Sequence, residues 1–222
     1  MTDRRQSYWL TSGGGMGVAV PVVAFTFIIL SILTYPQFSW TNNALSDLGV
    51  VPGITATLFN FGLYASGLMS LTFAIGLYKL LNKNALGKIG AVIFGGACIA
   101  LEGIGVMPEN FGSSLSFPFH YVVSVAFFTL VPTALLVIAY HFLITHEKQL
   151  AEFTLLIAVT AAAPWLLYFA VQYVPGVAIP ELVSALAVSA WSVTIGWRMY
   201  KVGSRMYKAA SPPKTLEQAR AS

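Results

Sequence analysis

Six stretches of nearly unbroken apolar residues alternate with short polar segments: Val18–Tyr35, Ile54–Leu80, Ile89–Met107, Tyr121–Ile144, Phe153–Val174 and Leu182–Val202. A helix needs about 20 residues to cross the roughly 30 Å hydrocarbon layer of a bilayer, and each stretch is near or above that length. Apolar positions run continuously instead of alternating, which argues against a transmembrane β-barrel. The pattern predicts an all-α fold, a polytopic membrane protein built as a six-transmembrane-helix bundle. Residues 1–15 form a short polar, Gly-rich N-terminal segment, residues 16–202 the transmembrane domain, and residues 203–222 a polar tail.

Prolines and small residues refine this picture. Proline lacks an amide hydrogen and clashes with the preceding turn. Pro36, Pro108 and Pro175 therefore end helices one, three and five, while Pro132 and Pro164 predict kinks inside helices four and five. An acid follows each of the three terminating prolines: Asp47, Glu109 and Glu181. In lipid, helices associate through close backbone approach at small residues. The third stretch has Ala91/Gly95 and Gly96/Ala100 at four-residue spacing, which predicts that helix three is the centre of the bundle.

Charge then orients the bundle. Charged residues make up 9% of the chain and apolar ones 57%, with a mean hydropathy of +0.75. Soluble domains carry about 25% charged residues. The net charge of +4 raises the question of a nucleic-acid partner, and its distribution answers against one. All twelve Lys and Arg lie before helix one, between helices two and three, between four and five, or around and after the end of helix six. The other three loops contain none. That asymmetry is the positive-inside pattern, and it predicts a multi-pass protein of the plasma (cytoplasmic) membrane with both termini cytoplasmic. The first stretch lacks a cleavage signature and is expected to stay as a signal-anchor. Cys98 is the single cysteine and cannot form an intrachain disulfide. Trp40, Tyr35, Tyr121, Tyr173, Trp197 and Tyr200 fall where interfacial aromatic belts are expected.

Ionisable residues at membrane depth are costly and mark functional positions. Glu102, under two turns before Pro108, is the clearest case. Other polar groups converge on the same outer level: Asn43, Ser46 and Asp47 in the first loop, Asn60 in helix two, Glu109 after helix three, His120 opening helix four, and Gln172 on one face with Tyr168. Ser46, Asp47 and His120 are the candidate catalytic residues. Glu102, Asn60, Glu109, Asn43 and Gln172 are the candidate ligand contacts. Ser46 with His120 and a carboxylate has the residue types of a nucleophilic triad, but no G-x-S-x-G elbow accompanies it. One histidine without an H-x-x-x-H pair is a poor metal set. His120 and His141 are 21 residues apart on one helix, about 31 Å by helical rise, so they cannot share a haem. No cofactor is named by these residues, and no oligomeric state either.

The order of motifs resembles a known family. Asn43-Ala-Leu-Ser-Asp-Leu-Gly49, Leu58-Phe-Asn-Phe-Gly62, Gly105-Val-Met-Pro-Glu109 and His120 are similar to those of the prokaryotic family catalogued as domain of unknown function 998. That family is distantly similar to the eukaryotic Frag/DRAM-type membrane proteins, which include a GPI-anchor remodelling factor and an autophagy modulator. The resemblance implies a six-helix fold with Ser46, Asp47, Asn60 and His120 as motif residues, and no particular activity.

Three functions are compatible with these residues. The leading expectation is an outward-facing polar pocket that binds a membrane lipid or other amphiphile, and in its stronger form remodels it. The second is a small proton-linked transporter using Glu102. The third is a structural or partner-binding membrane subunit.

Overall fold

The computed structural model describes residues 2–112 and 117–209. They form six α-helices: α1 (Thr2–Leu33), α2 (Ile54–Leu80), α3 (Ala85–Val106), α4 (Phe119–Ile144), α5 (Lys148–Val171) and α6 (Ala178–Ala209). A 3-10 turn, Ser46–Val50, lies in the loop between α1 and α2, and there is no strand among the described residues. All six helices are long and apolar enough to cross a membrane.

Each helix packs against its neighbours in sequence, and α6 returns to pack along α1. The result is a closed, up-and-down ring in which α3 is one wall, not the hub that its small residues predicted. Inside the ring, Phe73, Phe94 and Trp191 meet edge to face or tilted, with centroids 5.3–5.9 Å apart. All three are buried, and the Trp191 indole N–H is satisfied by Thr154 Oγ1 at 3.1 Å. These rings plug the axis of the bundle.

The contact that closes the ring uses residues the sequence placed outside it. Residues 2–15 are not set apart from the first helix: α1 begins at Thr2 and runs through Gly13, Gly14 and Gly17. A methyl group on Gly14 would lie 2.4 Å from the Tyr200 backbone nitrogen, and one on Gly196 would lie 2.8 Å from the Gly14 carbonyl oxygen. Ser7 adds a hydrogen bond from its hydroxyl to the Gly203 carbonyl at 2.8 Å. Within the polar-looking Gly run, Gly14 is thus the point where α1 and α6 touch, while Gly13 meets the α2 backbone at Thr72 and Gly76. At the other end of the chain, α6 continues past the expected boundary at 202 to Ala209, and the tail from 210 on lies outside the described residues.

Close approach between α2 and α3 also falls elsewhere than expected. Gly95 and Gly96 have ordinary clearance, whereas a methyl on Gly67 would lie 2.5 Å from the Glu102 backbone and one on Gly105 2.5 Å from that of Asn60. Helices α1, α4 and α5 continue through Pro21, Pro132 and Pro164.

The bundle has a basic end and an acidic end. Arg4, Arg5, Lys79, Lys83, Lys88, Lys148, Arg198, Lys201, Arg205 and Lys208 all lie toward the end where α1, α3 and α5 begin and α2, α4 and α6 finish. There Glu147 joins three segments by pairing with Lys83 at 3.5 Å and with Arg198. Asp47, Glu102, Glu109 and Glu181 lie toward the opposite end.

The glycine contacts give the first prediction. Gly14→Val overpacks the α1–α6 seam and should cost about 1–3 kcal/mol or more. Gly15 has open space where a methyl would go, so Gly15→Ala should be neutral or stabilise the helix by about 0.5–1 kcal/mol. Thermal unfolding in detergent checks both, and equal behaviour of the two variants would refute the assigned seam.

Candidate functional site

At the acidic end the first loop folds over the mouth of the ring. Its shape begins with Asp47, whose Oδ2 accepts hydrogen bonds from the Asn43 side-chain amide at 2.6 Å and the Ala44 backbone N–H at 3.0 Å. Asn43 Oδ1 in turn accepts from the Ser39 N–H at 2.9 Å. Asn60 of α2 donates to the Gly49 carbonyl at 2.9 Å. Asp47, Asn43 and Asn60 therefore shape and seat the loop.

The loop is fastened to the start of α6. The Gly176 and Ala178 amides donate to the Thr41 and Asn43 carbonyls at 2.7 and 2.9 Å. A methyl on Gly176 would lie 2.4 Å from the Asn43 carbonyl oxygen, so this strand-like contact requires glycine. Glu181, in the first turn of α6 and only 8% exposed, accepts the Leu45 backbone N–H on Oε2 at 2.6 Å. A carboxylate suits that position, because the first turn of a helix presents unpaired amides and the positive end of the helix dipole.

Helix α4 starts beside this clamp. His120 Nδ1 lies 2.7 Å from the Met107 carbonyl oxygen. Met107 follows the last turn of α3 and precedes a proline, so its carbonyl is one of the acceptors a helix end leaves unpaired. A carbonyl only accepts, so Nδ1 carries the hydrogen, and in the neutral ring Nε2 is then the acceptor. Nε2 is buried without a partner, and His120 as a whole is 9% exposed. Across from it on α5, the Trp165 indole N–H is also buried without a partner. A buried polar group left unpaired costs about 1–3 kcal/mol.

Both orphaned groups line one cleft of about 610 Å³ between α4, α5 and the start of α6. Ser46, Glu109, Ser124, Tyr168 and Glu181 also line it. Its floor is the contact between Phe128 and Trp165, whose rings are 4.7 Å apart. Tyr121 and Phe169 on its rim are 66% and 73% exposed on the outer surface of α4 and α5, so the cleft opens sideways between these helices. Ser46, Ser124, Phe128 and Glu181 also border a second, almost wholly apolar cavity inside the ring, of about 120 Å³. A single water needs about 10–15 Å³ on the same measure. That cavity reaches down to Phe73 and Phe94 of the aromatic plug.

Among the residues singled out in the sequence, Ser46, Glu109 and His120 come to this cleft. Asp47 and His120 share no hydrogen bond; each is committed elsewhere. Gln172 is not on the α5 face with Tyr168 but caps its end in the left-handed conformation, at φ 43°, and is exposed. Glu102 is half-buried with its backbone against Gly67, and it lines neither the cleft nor the inner cavity. No group of three or more His, Cys, Asp or Glu is placed to hold a metal ion among the described residues.

Two contributors were not singled out. Glu181 was visible as an acid at the start of an apolar stretch, and its burial under a distant loop could not be read from that. Trp165 follows a mid-helix proline and resembled one more aromatic among many.

A ring of six membrane-spanning helices defines a multi-pass integral membrane protein, here with a side-opening cleft at its acidic end. The chain belongs to the family described as Protein of unknown function (DUF998), whose model matches residues 18–198. The match runs from α1 into α6 and includes every residue of the cleft. No curated protein and no solved structure matches the chain.

The Glu181 clamp gives the second prediction. Glu181→Ala leaves the Leu45 N–H unpaired and should destabilise the loop by about 1–3 kcal/mol, whereas Glu181→Gln keeps an acceptor. Hydrogen exchange of amides 41–50 should accelerate in Glu181→Ala and in Gly176→Val and change little in Glu181→Gln. Unchanged exchange in Glu181→Ala would remove the clamp.

Proposed function

We propose that the cleft binds an amphiphile that enters sideways from the bilayer, with its head at His120, Trp165 and Glu181 and its chain in the apolar cavity of the ring. One observation carries this reading: two buried, unpartnered polar groups face a cleft that shares the walls Ser46, Ser124, Phe128 and Glu181 with an apolar chamber. Ligand pockets combine this kind of apolar wall with a few placed polar groups. A ligand supplying the missing partners regains what burial cost, at about 0.5–1.5 kcal/mol net per hydrogen bond.

Lateral access follows from the rim. Tyr121, Val125 and Phe169 are exposed on faces that lipid would cover. Transport is the poorer fit, because Phe73, Phe94 and Trp191 block the axis toward the basic end. A role for Ser46 and His120 in cleaving or remodelling the ligand has no specific observation in its favour, since no hydrogen bond joins Ser46 to His120 Nε2. With the basic end cytoplasmic, the cleft faces the outer leaflet of the plasma membrane.

A fatty-chain probe with a terminal diazirine, in proteoliposomes, tests the binding site. It should label cavity positions on α3 and α4 such as Leu101 and Phe127, ahead of outward-facing ones such as Val92 and Ile99. Ser124→Leu, which fills the junction of cleft and cavity, should suppress that labelling at least tenfold without lowering the melting temperature. Labelling confined to the outer surface, or unaffected by Ser124→Leu, would refute the site.

Orientation has its own test. In a Cys98→Ala background, Thr41→Cys should react with an impermeant maleimide from outside the cell and Asn82→Cys should not. The reverse result would invert the protein in the membrane.

A further inference from the structure

We propose that the head taken by this cleft is an organic cation bearing N–H groups: the primary ammonium of a long-chain amine. This rests on the amphiphile-binding reading above and names its ligand class.

The charge around the cleft has one sign. Glu181 and Glu109 line it, Asp47 adjoins it in the loop, and Glu102 lies toward the same end. No Lys or Arg occurs in the chain between Arg5 and Lys79, between Lys88 and Lys148, or between Lys148 and Arg198. Every segment that builds the acidic end falls in one of those intervals. A phosphate, sulfate or carboxylate head would meet Glu181 and Glu109 there with no Lys or Arg to balance it.

The open acceptors agree with the charge, whereas the Trp165 N–H, itself a donor, gains only the cation–ring contact and no hydrogen bond from an ammonium. Leu45 N–H occupies Glu181 Oε2, and Oε1 has no hydrogen-bond partner among the described residues. His120, nine-tenths buried, presents Nε2 as an unpartnered acceptor on the same cleft. A carboxylate oxygen and an imidazole lone pair both require a donor. A primary ammonium offers three and takes up the negative charge as well. The aromatic rings of Phe128, Trp165, Tyr168 and Phe169 on the walls add faces that attract a cation. A quaternary ammonium would keep the charge and the ring contacts but leave His120 Nε2 unpaired, so the site should prefer the N–H form.

Competition against the diazirine probe, with a constant twelve-carbon chain, tests the head. Dodecylammonium should displace the probe at a concentration at least tenfold below that of dodecyl sulfate, with dodecyltrimethylammonium between them. In Glu181→Gln, which preserves the Leu45 hydrogen bond, the advantage of dodecylammonium over dodecanol should fall at least fivefold. Partitioning into the bilayer is common to both proteins and cancels in that comparison. Equal competition by ammonium and sulfate, or an ammonium preference that survives Glu181→Gln, overturns the cationic head and leaves the amphiphile site standing. Ethylamine competing as well as dodecylammonium would make the ligand a water-soluble amine and overturn the proposal. Failure of every twelve-carbon compound to compete would overturn the amphiphile reading itself.

Discussion

The hydrogen bond from the Leu45 amide to Glu181 joins residues 136 apart in sequence, and the acidic end of the bundle is organised around it. It fastens a loop that would otherwise hang from α1 and α2 onto the first turn of α6. Once seated, that loop carries Ser46 to the wall of the cleft and roofs the chamber behind it. The clamp also places a carboxylate inside the ring mouth, where apolar packing alone would have excluded it. Charged groups taken from water are costly unless paired or hydrogen-bonded. The Leu45 amide, the start of α6 and the cleft's access to the outside together make the position tenable.

The ring supplies what the clamp needs. Six helices that pack mainly on their neighbours enclose an axis, and that axis must be filled or left as space. Near its middle, Phe73, Phe94 and Trp191 fill it. Beside them lies the apolar chamber, whose walls include Phe73 and Phe94 themselves. The α1–α6 seam closes through backbone contact at glycines and is tight. The α4–α5 side is different: its outer part carries rings that contact across the cleft floor and leave a gap above it. Access is therefore from the side, at one level and at one end.

Much of the fold could be read directly from the sequence, because a bilayer imposes length and polarity on every segment. The six helices, their order and the separation of acidic and basic ends follow from apolar runs and from where Lys and Arg occur. The helix seams did not follow. Small residues in α3 have the right spacing, and Gly90 and Gly105 do meet neighbouring helices closely, but Gly95 and Gly96 do not, because spacing alone does not say which face meets a neighbour. Gly13-Gly14-Gly15 looked like a polar lead-in because the segment is weakly hydrophobic, yet it is helical, with Gly13 against α2 and Gly14 against α6. The site was partly legible. His120 and Ser46 stood out by type and depth, and both reach the cleft. Glu181 and Trp165 acquire their meaning only from contacts across the fold, and the Asn43–Asp47 pair proved to be internal bracing of the loop.

A high-resolution structure of the protein in a lipid bilayer containing dodecylammonium tests the central claim most directly. The account predicts elongated density entering between Tyr121 and Phe169, with its head within hydrogen-bond reach of Glu181 Oε1 and His120 Nε2 and its chain running toward Phe94. A cleft closed by Trp165 and Phe128, with the amphiphile found only along the outer faces of the helices, would contradict it.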